Sequence, residues 1–159
     1  MFSSKTPLIL RNISSIIFKS PQNPHLYQSS VNPNHKFFCH SGGDTKDVTY
    51  EEVKNMKDNK TVYLIDVREP EELKETGSIP GSINIPLNEL ETTLKNLSSQ
   101  DFIGKYRRDK PNFDTPLVFS CKAGVRSQKA LNIAQSLGFK RLRNYRGGWL
   151  DWEKNIKQS

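Results

Sequence analysis

Histidine is absent from residues 44–159, and cysteine occurs there only once, at Cys121. A Cys/His protease dyad, a histidine general base and a Cys/His zinc site each need side chains that this part of the chain lacks. A single cysteine also cannot form a disulfide within the segment. We therefore expect no metal ion and no other cofactor, and a reactive cysteine here must be activated without histidine.

Aspartate and glutamate are absent from residues 1–43, although this segment carries three lysines and one arginine. Its apolar residues recur at helical spacing, at Ile9, Ile13, Ile16 and Ile17. A basic amphipathic segment without acidic residues is typical of mitochondrial transit peptides, whereas polar residues interrupt the apolar stretch that a secretory signal needs. We predict a transit peptide, or otherwise a disordered tail, over residues 1–43. The domain at 44–159 is then mitochondrial, in the matrix, with the cytoplasm as second choice.

Long apolar runs are lacking as well, and no stretch of about 18 apolar residues predicts a membrane span. The formal net charge is +7, but the basic residues are spread over many segments and are not interleaved with aromatic residues. We therefore expect neither a nucleic-acid nor a membrane partner. No pattern in the sequence indicates an oligomeric state.

Strand and helix patterns alternate along residues 44–159. The runs "TVYLID" (61–66) and "PLVFS" (116–120) are typical of buried parallel strands. Capping signals predict helices that begin near Thr49, Pro70, Asn88 and Ser98, and apolar periodicity predicts a further helix from Ser127 to Gly138. This alternation predicts an α/β fold with a mostly parallel sheet, in which ligands bind beyond the carboxyl ends of the strands.

Cys121 stands at such a strand end, in the segment "CKAGVRS". Gly124 can adopt positive φ, and the backbone N–H groups of a turn that leads into a helix form a nest for an anion. A nest and neighbouring cations favour the thiolate over the thiol. We interpret Cys121 as a nucleophile rather than a structural cysteine. The predicted anion-binding residues are Lys122, Ala123, Gly124, Val125 and Arg126.

The length of this loop separates two kinds of cysteine chemistry. Protein tyrosine phosphatases use the pattern C-x5-R, whereas Cys121 and Arg126 form C-x4-R. A shorter loop makes a tighter cradle, which suits one added sulfur better than a phosphoryl group. A phosphatase or arsenate reductase of related fold is therefore the less favoured alternative.

Four segments together resemble the rhodanese family of single-domain sulfurtransferases. They are "LIDVREPEEL", "GSIPGSINIP", "CKAGVRS" and "NYRGGWLDW". The sequence is most similar to thiosulfate sulfurtransferases and to the small thiosulfate:glutathione sulfurtransferase-like proteins. One departure is Ser78, which stands where many family members have histidine. The resemblance implies a rhodanese-like three-layer fold, with helices flanking a mostly parallel sheet.

The resemblance also implies a mechanism. Cys121 takes a sulfane sulfur from thiosulfate or a related donor as a persulfide, and passes it to cyanide or a thiol, such as glutathione or a thioredoxin-type dithiol. Arg126 either contacts the bound anion or ties the loop to a carboxylate. The predicted supporting residues are Asp66, Arg68 and Ser127, the first two as a possible ion-paired brace for the loop. A non-catalytic interaction module of the same fold is the other alternative.

Overall fold

The computed structural model describes residues 47–158, so the predicted transit peptide at 1–43 lies outside the described residues. Within them, no helix is both long and apolar enough to cross a membrane. The helices and strands, in chain order, are α1 Tyr50–Met56, β1 Tyr63–Asp66, α2 Pro70–Thr76, β2 Ile83–Asn84, α3 Leu87–Asn96, α4 Ser99–Tyr106, β3 Leu117–Ser120, α5 Val125–Ser136, β4 Leu142–Asn144 and α6 Gly148–Ile156.

The strands form one parallel sheet in the order β2-β1-β3-β4. Asp66 pairs with Ser120, and Phe119 pairs with Asn144. The carboxyl ends of the two central strands, β1 and β3, therefore lie side by side. The segments that follow them, which carry most of the predicted site residues, meet at this edge of the sheet.

Buried side chains of the central strands alternate between two apolar layers, because successive residues of a strand face opposite sides. Ile65 and Phe119 pack on one face, together with buried residues of α3, α4 and α5. Leu64 and Val118 pack on the other face, with buried residues of α1 and α6. The predicted three-layer α/β fold is confirmed. Burying each large apolar side chain contributes about 1.5–3 kcal/mol to its stability.

Local signals place several helix ends where the sequence predicts them. Thr49 and Glu52 form a capping box at the start of α1, in which the Thr49 N–H donates to Glu52 Oε2 over 2.9 Å. Pro70 is the first residue of α2, and Gly77 ends that helix with φ of 87°. Ser98 caps α4 by accepting a hydrogen bond from the Asp101 N–H. These ends follow from short-range hydrogen bonding and φ preference alone.

Two predicted helix starts are wrong by about a turn or less. Helix α3 has Pro86 as its N-cap, so Asn88 lies inside the first turn and does not cap the helix. Helix α5 begins at Val125 rather than Ser127, because Gly124, at φ 85°, turns the chain directly into the helix. Arg126 and Ser127 therefore belong to the first turn of α5, where backbone N–H groups have no partner within the helix.

Candidate active site

Cys121 lies directly after β3, where the chain turns into α5. Its side chain is buried, with the residue only 1% exposed. The Gly124 N–H donates a hydrogen bond to Cys121 Sγ over 3.1 Å, and Ser127 Oγ lies 3.4 Å from the same sulfur. The sulfur thus lies at the buried base of the loop formed by residues 121–127, among hydrogen-bond donors.

Hydrogen bonds set the ionisation of Cys121 in the absence of a histidine. Burial raises the pKa of the thiol, because it penalises the charged form. The Ser127 hydroxyl and the backbone amides of Ser127, Ala123 and Gly124 lower the pKa by donating hydrogen bonds to the thiolate. The hydrogen bonds outweigh burial, so the pKa of Cys121 lies below that of an ordinary thiol. The arrangement favours the nucleophilic thiolate.

Gly124 is the turning point of the loop, and no other residue type fits there. Its φ of 85° lies in the left-handed region that side chains disfavour. A Cβ atom at this position would also lie 2.2 Å from the carbonyl oxygen of Arg146. The close approach of these two backbones brings the segment before α6 against the loop and aims the Gly124 N–H at the sulfur.

The start of α6 holds the outer side of the loop. The Trp149 N–H donates to the Cys121 carbonyl over 2.8 Å, and the Leu150 N–H donates to the Lys122 carbonyl over 3.1 Å. In a trans peptide the C=O and the following N–H point in opposite directions. The N–H groups of Lys122 and Ala123 therefore point away from α6, and the Ala123 N–H is one of the donors that lower the pKa of Cys121.

Gly148 makes this contact between α6 and the loop possible. Its φ is 58°, and a Cβ atom there would lie 2.3 Å from the carbonyl oxygen of Cys121. Its contact with Cys121 joins residues far apart in the chain, and no local pattern signals it.

Arg126 is tied to a carboxylate, which is one of the two roles the sequence leaves open. Its Nη2 donates to Glu72 Oε1 over 2.8 Å, and its Nη1 donates to Glu72 Oε2. This bidentate pair lowers the pKa of Glu72 to about 2 and raises the pKa of Arg126. The brace connects α2 to the first turn of α5. Sequence reasoning missed Glu72, since its only local signal is a capping position in α2.

Asp66 and Arg68 form an ion pair with each other, as the sequence suggested, and the role of this pair as a brace for the loop stays a prediction. Arg68 Nη2 donates to Asp66 Oδ2 over 2.7 Å, and both side chains are buried. Arg68 also donates to Thr76 Oγ1 over 2.8 Å and to the Gly77 carbonyl over 3.0 Å. Its guanidinium lies 4.9 Å from the ring centre of Trp149. The pair thus joins the end of β1 to α2 and α6, the element that holds the loop.

The remaining predicted residues differ in their exposure. Lys122, Ala123 and Val125 are exposed at the outer opening of the loop, which we call its mouth, whereas Gly124 and Ser127 are buried beside the sulfur. Ser78, the departure from the family pattern, is also exposed. It follows Gly77, so it stands next to a partner of Arg68 rather than in the loop around Cys121.

Replacing Ser127 with alanine is expected to raise the pKa of Cys121, because one hydrogen bond to the thiolate is lost. Wild-type protein then keeps its reactivity toward iodoacetamide at pH values where the variant has lost most of it. The measurement is the alkylation rate of Cys121 between about pH 5 and pH 10, whose midpoint should move to higher pH in the variant. Ser136→Ala, at the exposed far end of α5, is the control and should leave the midpoint in place.

Replacing Glu72 with glutamine is expected to destabilise the fold by about 1 kcal/mol near neutral pH, a value reduced for the partial exposure of the pair. The folded-state pKa of Glu72 is about 2, against an ordinary 4.5. Its ionisation therefore stabilises the fold fully above 4.5, and this contribution disappears as the pH falls from 4.5 to 2. Urea unfolding at neutral and acidic pH tests this prediction: the difference in free energy of unfolding between wild type and variant should disappear in acid. Glu71→Gln, an exposed neighbour, should have the same free energy of unfolding as wild type at both pH values.

The comparisons with known proteins decide the family. A family model described as a rhodanese-like domain matches residues 49–155. The chain belongs to the rhodanese family. The matched range contains all the segments that carry the resemblance, so that prediction is confirmed.

Several curated relatives of this rhodanese domain are named sulfurtransferases. The chain is 50% identical over 107 residues to mouse thiosulfate sulfurtransferase/rhodanese-like domain-containing protein 3, covering 67% of this chain and 68% of the relative. It is 42% identical to a putative mitochondrial thiosulfate sulfurtransferase of Schizosaccharomyces pombe, covering 62% and 68%. It is 38% identical to human thiosulfate:glutathione sulfurtransferase, covering 66% and 90%. The family's chemistry is the transfer of sulfur-containing groups.

A solved structure shares the fold. The human single-domain sulfurtransferase TSTD1 superposes with a TM-score of 0.62 at 35% identity, covering 71% of this chain and 97% of that one. The sheet that places Cys121 at a strand end is therefore the rhodanese sheet. The match extends over nearly the whole of the human protein, which consists of one such domain.

Proposed function

We propose that the protein moves a sulfane sulfur from thiosulfate, through a persulfide on Cys121, to an external thiol or to cyanide. The observation that carries this proposal is the convergence of hydrogen-bond donors on Cys121 Sγ, with the Gly124 N–H at 3.1 Å and the Ser127 hydroxyl at 3.4 Å. A loop that stabilises negative charge on sulfur serves both the attacking thiolate and the persulfide that replaces it.

In the first half-reaction the Cys121 thiolate attacks the outer sulfur of thiosulfate. A bond forms between Sγ and that sulfur, the sulfur–sulfur bond of thiosulfate breaks, and sulfite leaves with the electron pair. Sulfite is a stable anion and needs no proton from a general acid, which accords with a site without histidine. The product is a Cys121 persulfide anion, and no oxidant or reductant is consumed.

The backbone N–H groups of the loop then hold the outer sulfur of the persulfide. Lys122 stands at the exposed mouth, where its charge draws the dianionic donor toward the loop. Arg126 holds the loop in place rather than contacting the donor, because its guanidinium is paired with Glu72. Lys122 and the backbone N–H groups thus supply the anion-binding role that the sequence assigns to positions 122–126, and Arg126 supports the loop.

The second half-reaction needs an acceptor from outside the domain. Residues 44–159 contain no second cysteine that could take up the sulfur internally. Glutathione or a thioredoxin-type dithiol serves as the acceptor, and its sulfur displaces Cys121 from the outer sulfur. The free thiolate is regenerated, and the cycle consists of two separate half-reactions through a covalent intermediate.

The site of action that we propose is the mitochondrial matrix, with residues 1–43 as the import signal and 44–159 as the working domain. Some relatives, such as the fission-yeast protein above, are named as mitochondrial. The absence of acidic residues from 1–43 supports the same placement for this chain. Import of the full chain into isolated mitochondria, with N-terminal sequencing of the product, tests both the mitochondrial localisation and the end of the import signal at residue 43.

Initial-rate kinetics test the proposed reaction. With thiosulfate and glutathione varied together, double-reciprocal plots should give parallel lines, because sulfite leaves before glutathione binds. Sulfite should appear in step with glutathione persulfide. Intersecting lines would contradict the covalent relay, and no turnover with any sulfane donor would leave the non-catalytic module as the better account.

A further inference from the structure

Two exposed apolar side chains flank the mouth of the loop. Val125 is 68% exposed and Leu150 is 48% exposed. Val125 opens α5, while Leu150 lies in the first turn of α6 and donates its N–H to the Lys122 carbonyl. Side chains of a helix lean toward its N-terminus, so both lean toward the loop from their own helices. Neither contributes its side chain to the hydrogen bonding around Cys121.

Two exposed cations belong to the same segments as these apolar side chains. Lys122 follows Cys121 directly, and Arg146 touches Gly124 through its carbonyl oxygen. The Arg146 side chain is exposed, and its Nη1 lies 3.8 Å from Asp47 Oδ2, a distance typical of a loose surface pair. The mouth thus combines positive charge with apolar surface around a nucleophile that is itself buried.

We infer that the preferred sulfur acceptor is a cysteine in an accessible, acidic segment of another protein, flanked by apolar side chains. Glutathione matches the cations through its carboxylates but has no apolar side chain for Val125 and Leu150. A protein segment can supply both, and burial of apolar surface adds affinity that a small anion lacks. The inference rests on the proposed function, because it names the class of acceptor for the same persulfide.

The transfer step balances with the groups already named. The sulfur of the acceptor cysteine attacks the outer sulfur of the Cys121 persulfide, and the bond between that sulfur and Sγ breaks. The electron pair returns to Cys121 as thiolate. The proton of the acceptor thiol passes through solvent to the transferred sulfur, which leaves as the acceptor's hydropersulfide.

Synthetic peptides test the acceptor preference on the full-length protein after loading with thiosulfate. The first peptide has a central cysteine, a leucine on each side and a glutamate at each end. Serines replace the leucines in the second peptide, and lysines replace the glutamates in the third. Each rate of persulfide discharge is divided by the rate at which the same peptide reduces a small aromatic disulfide, which removes differences in intrinsic thiol reactivity. The first peptide should exceed both others by at least about tenfold.

Protein variants locate the preference at the mouth. Val125→Ser and Leu150→Ser should each lower the ratio of peptide discharge to cyanide discharge for the first peptide, and Ile156→Ser, at the exposed far end of α6, should not. Equal normalised rates for all three peptides, or ratios unchanged in the mouth variants, would overturn the inference alone. Failure of thiosulfate to load the protein would instead overturn the proposed function and the inference with it.

Discussion

Cys121→Ser is expected to reduce the rate of sulfur transfer from thiosulfate by at least about four orders of magnitude, below the detection limit of a sulfite assay. A serine hydroxyl stays protonated at neutral pH and cannot form a persulfide. The loop around it should persist, because the backbone bonds from Trp149 and Leu150 do not involve the side chain. Sulfite release from purified wild type and variant, at matched protein concentration, measures the effect. Residual activity above about 1% of wild type would remove Cys121 from the centre of the mechanism.

Ser120→Ala is the matched control for that loss. Ser120 precedes Cys121, is fully buried, and its hydroxyl has no hydrogen-bond partner among the described residues. Removing an unpaired buried hydroxyl costs nothing and can stabilise a protein. We expect this variant to keep its activity and to unfold at the same or a higher urea concentration. A loss as severe as that of Cys121→Ser would show that any change in this segment disrupts the loop.

Gly148→Ala is expected to lower turnover by about a hundredfold and to destabilise the fold by about 1–3 kcal/mol. The new Cβ would lie 2.3 Å from the Cys121 carbonyl oxygen, at a φ of 58° that alanine disfavours. Relief of this clash must move α6 away from the loop, which breaks the hydrogen bonds from Trp149 and Leu150. The amides that surround the sulfur then lose their orientation. Sulfite release, urea unfolding and the pH dependence of Cys121 alkylation report the three effects.

Gly104→Ala is the control that separates the clash from the substitution itself. Gly104 lies inside α4, and a Cβ atom there would meet nothing within 4 Å. Alanine in a helix interior is favoured over glycine by about 1 kcal/mol, so this variant should be more stable and fully active. If Gly148→Ala behaved like Gly104→Ala, the account of α6 as the support of the loop would be wrong.

The features predictable from the sequence are those set by neighbours in the chain. The apolar run before Cys121, the positive φ available to Gly124 and the helix that follows are all local. Together they predict a cysteine at a strand end, which the structure shows, and an anion cradle around it, which stays a prediction. The capping box at Thr49 and the Pro70 start of α2 are predictable for the same reason.

The features that sequence reasoning missed are contacts between distant segments. Glu72 and Arg126 are 54 residues apart, and the bidentate pair between them depends on how α2 and α5 pack beside the sheet. The ion pair between Asp66 and Arg68 is predictable, because the two residues are close in the chain. Only the fold shows that Arg68 also contacts Thr76 and Trp149.

Intact mass spectrometry of the protein after incubation with thiosulfate tests the central claim most directly. The account predicts a mass gain of about 32 Da, one sulfur atom, that is absent in Cys121→Ser and is discharged by glutathione or cyanide. A wild-type protein that gains no mass with thiosulfate or any other sulfane donor, while its Cys121 remains free to react with iodoacetamide, would contradict the persulfide relay.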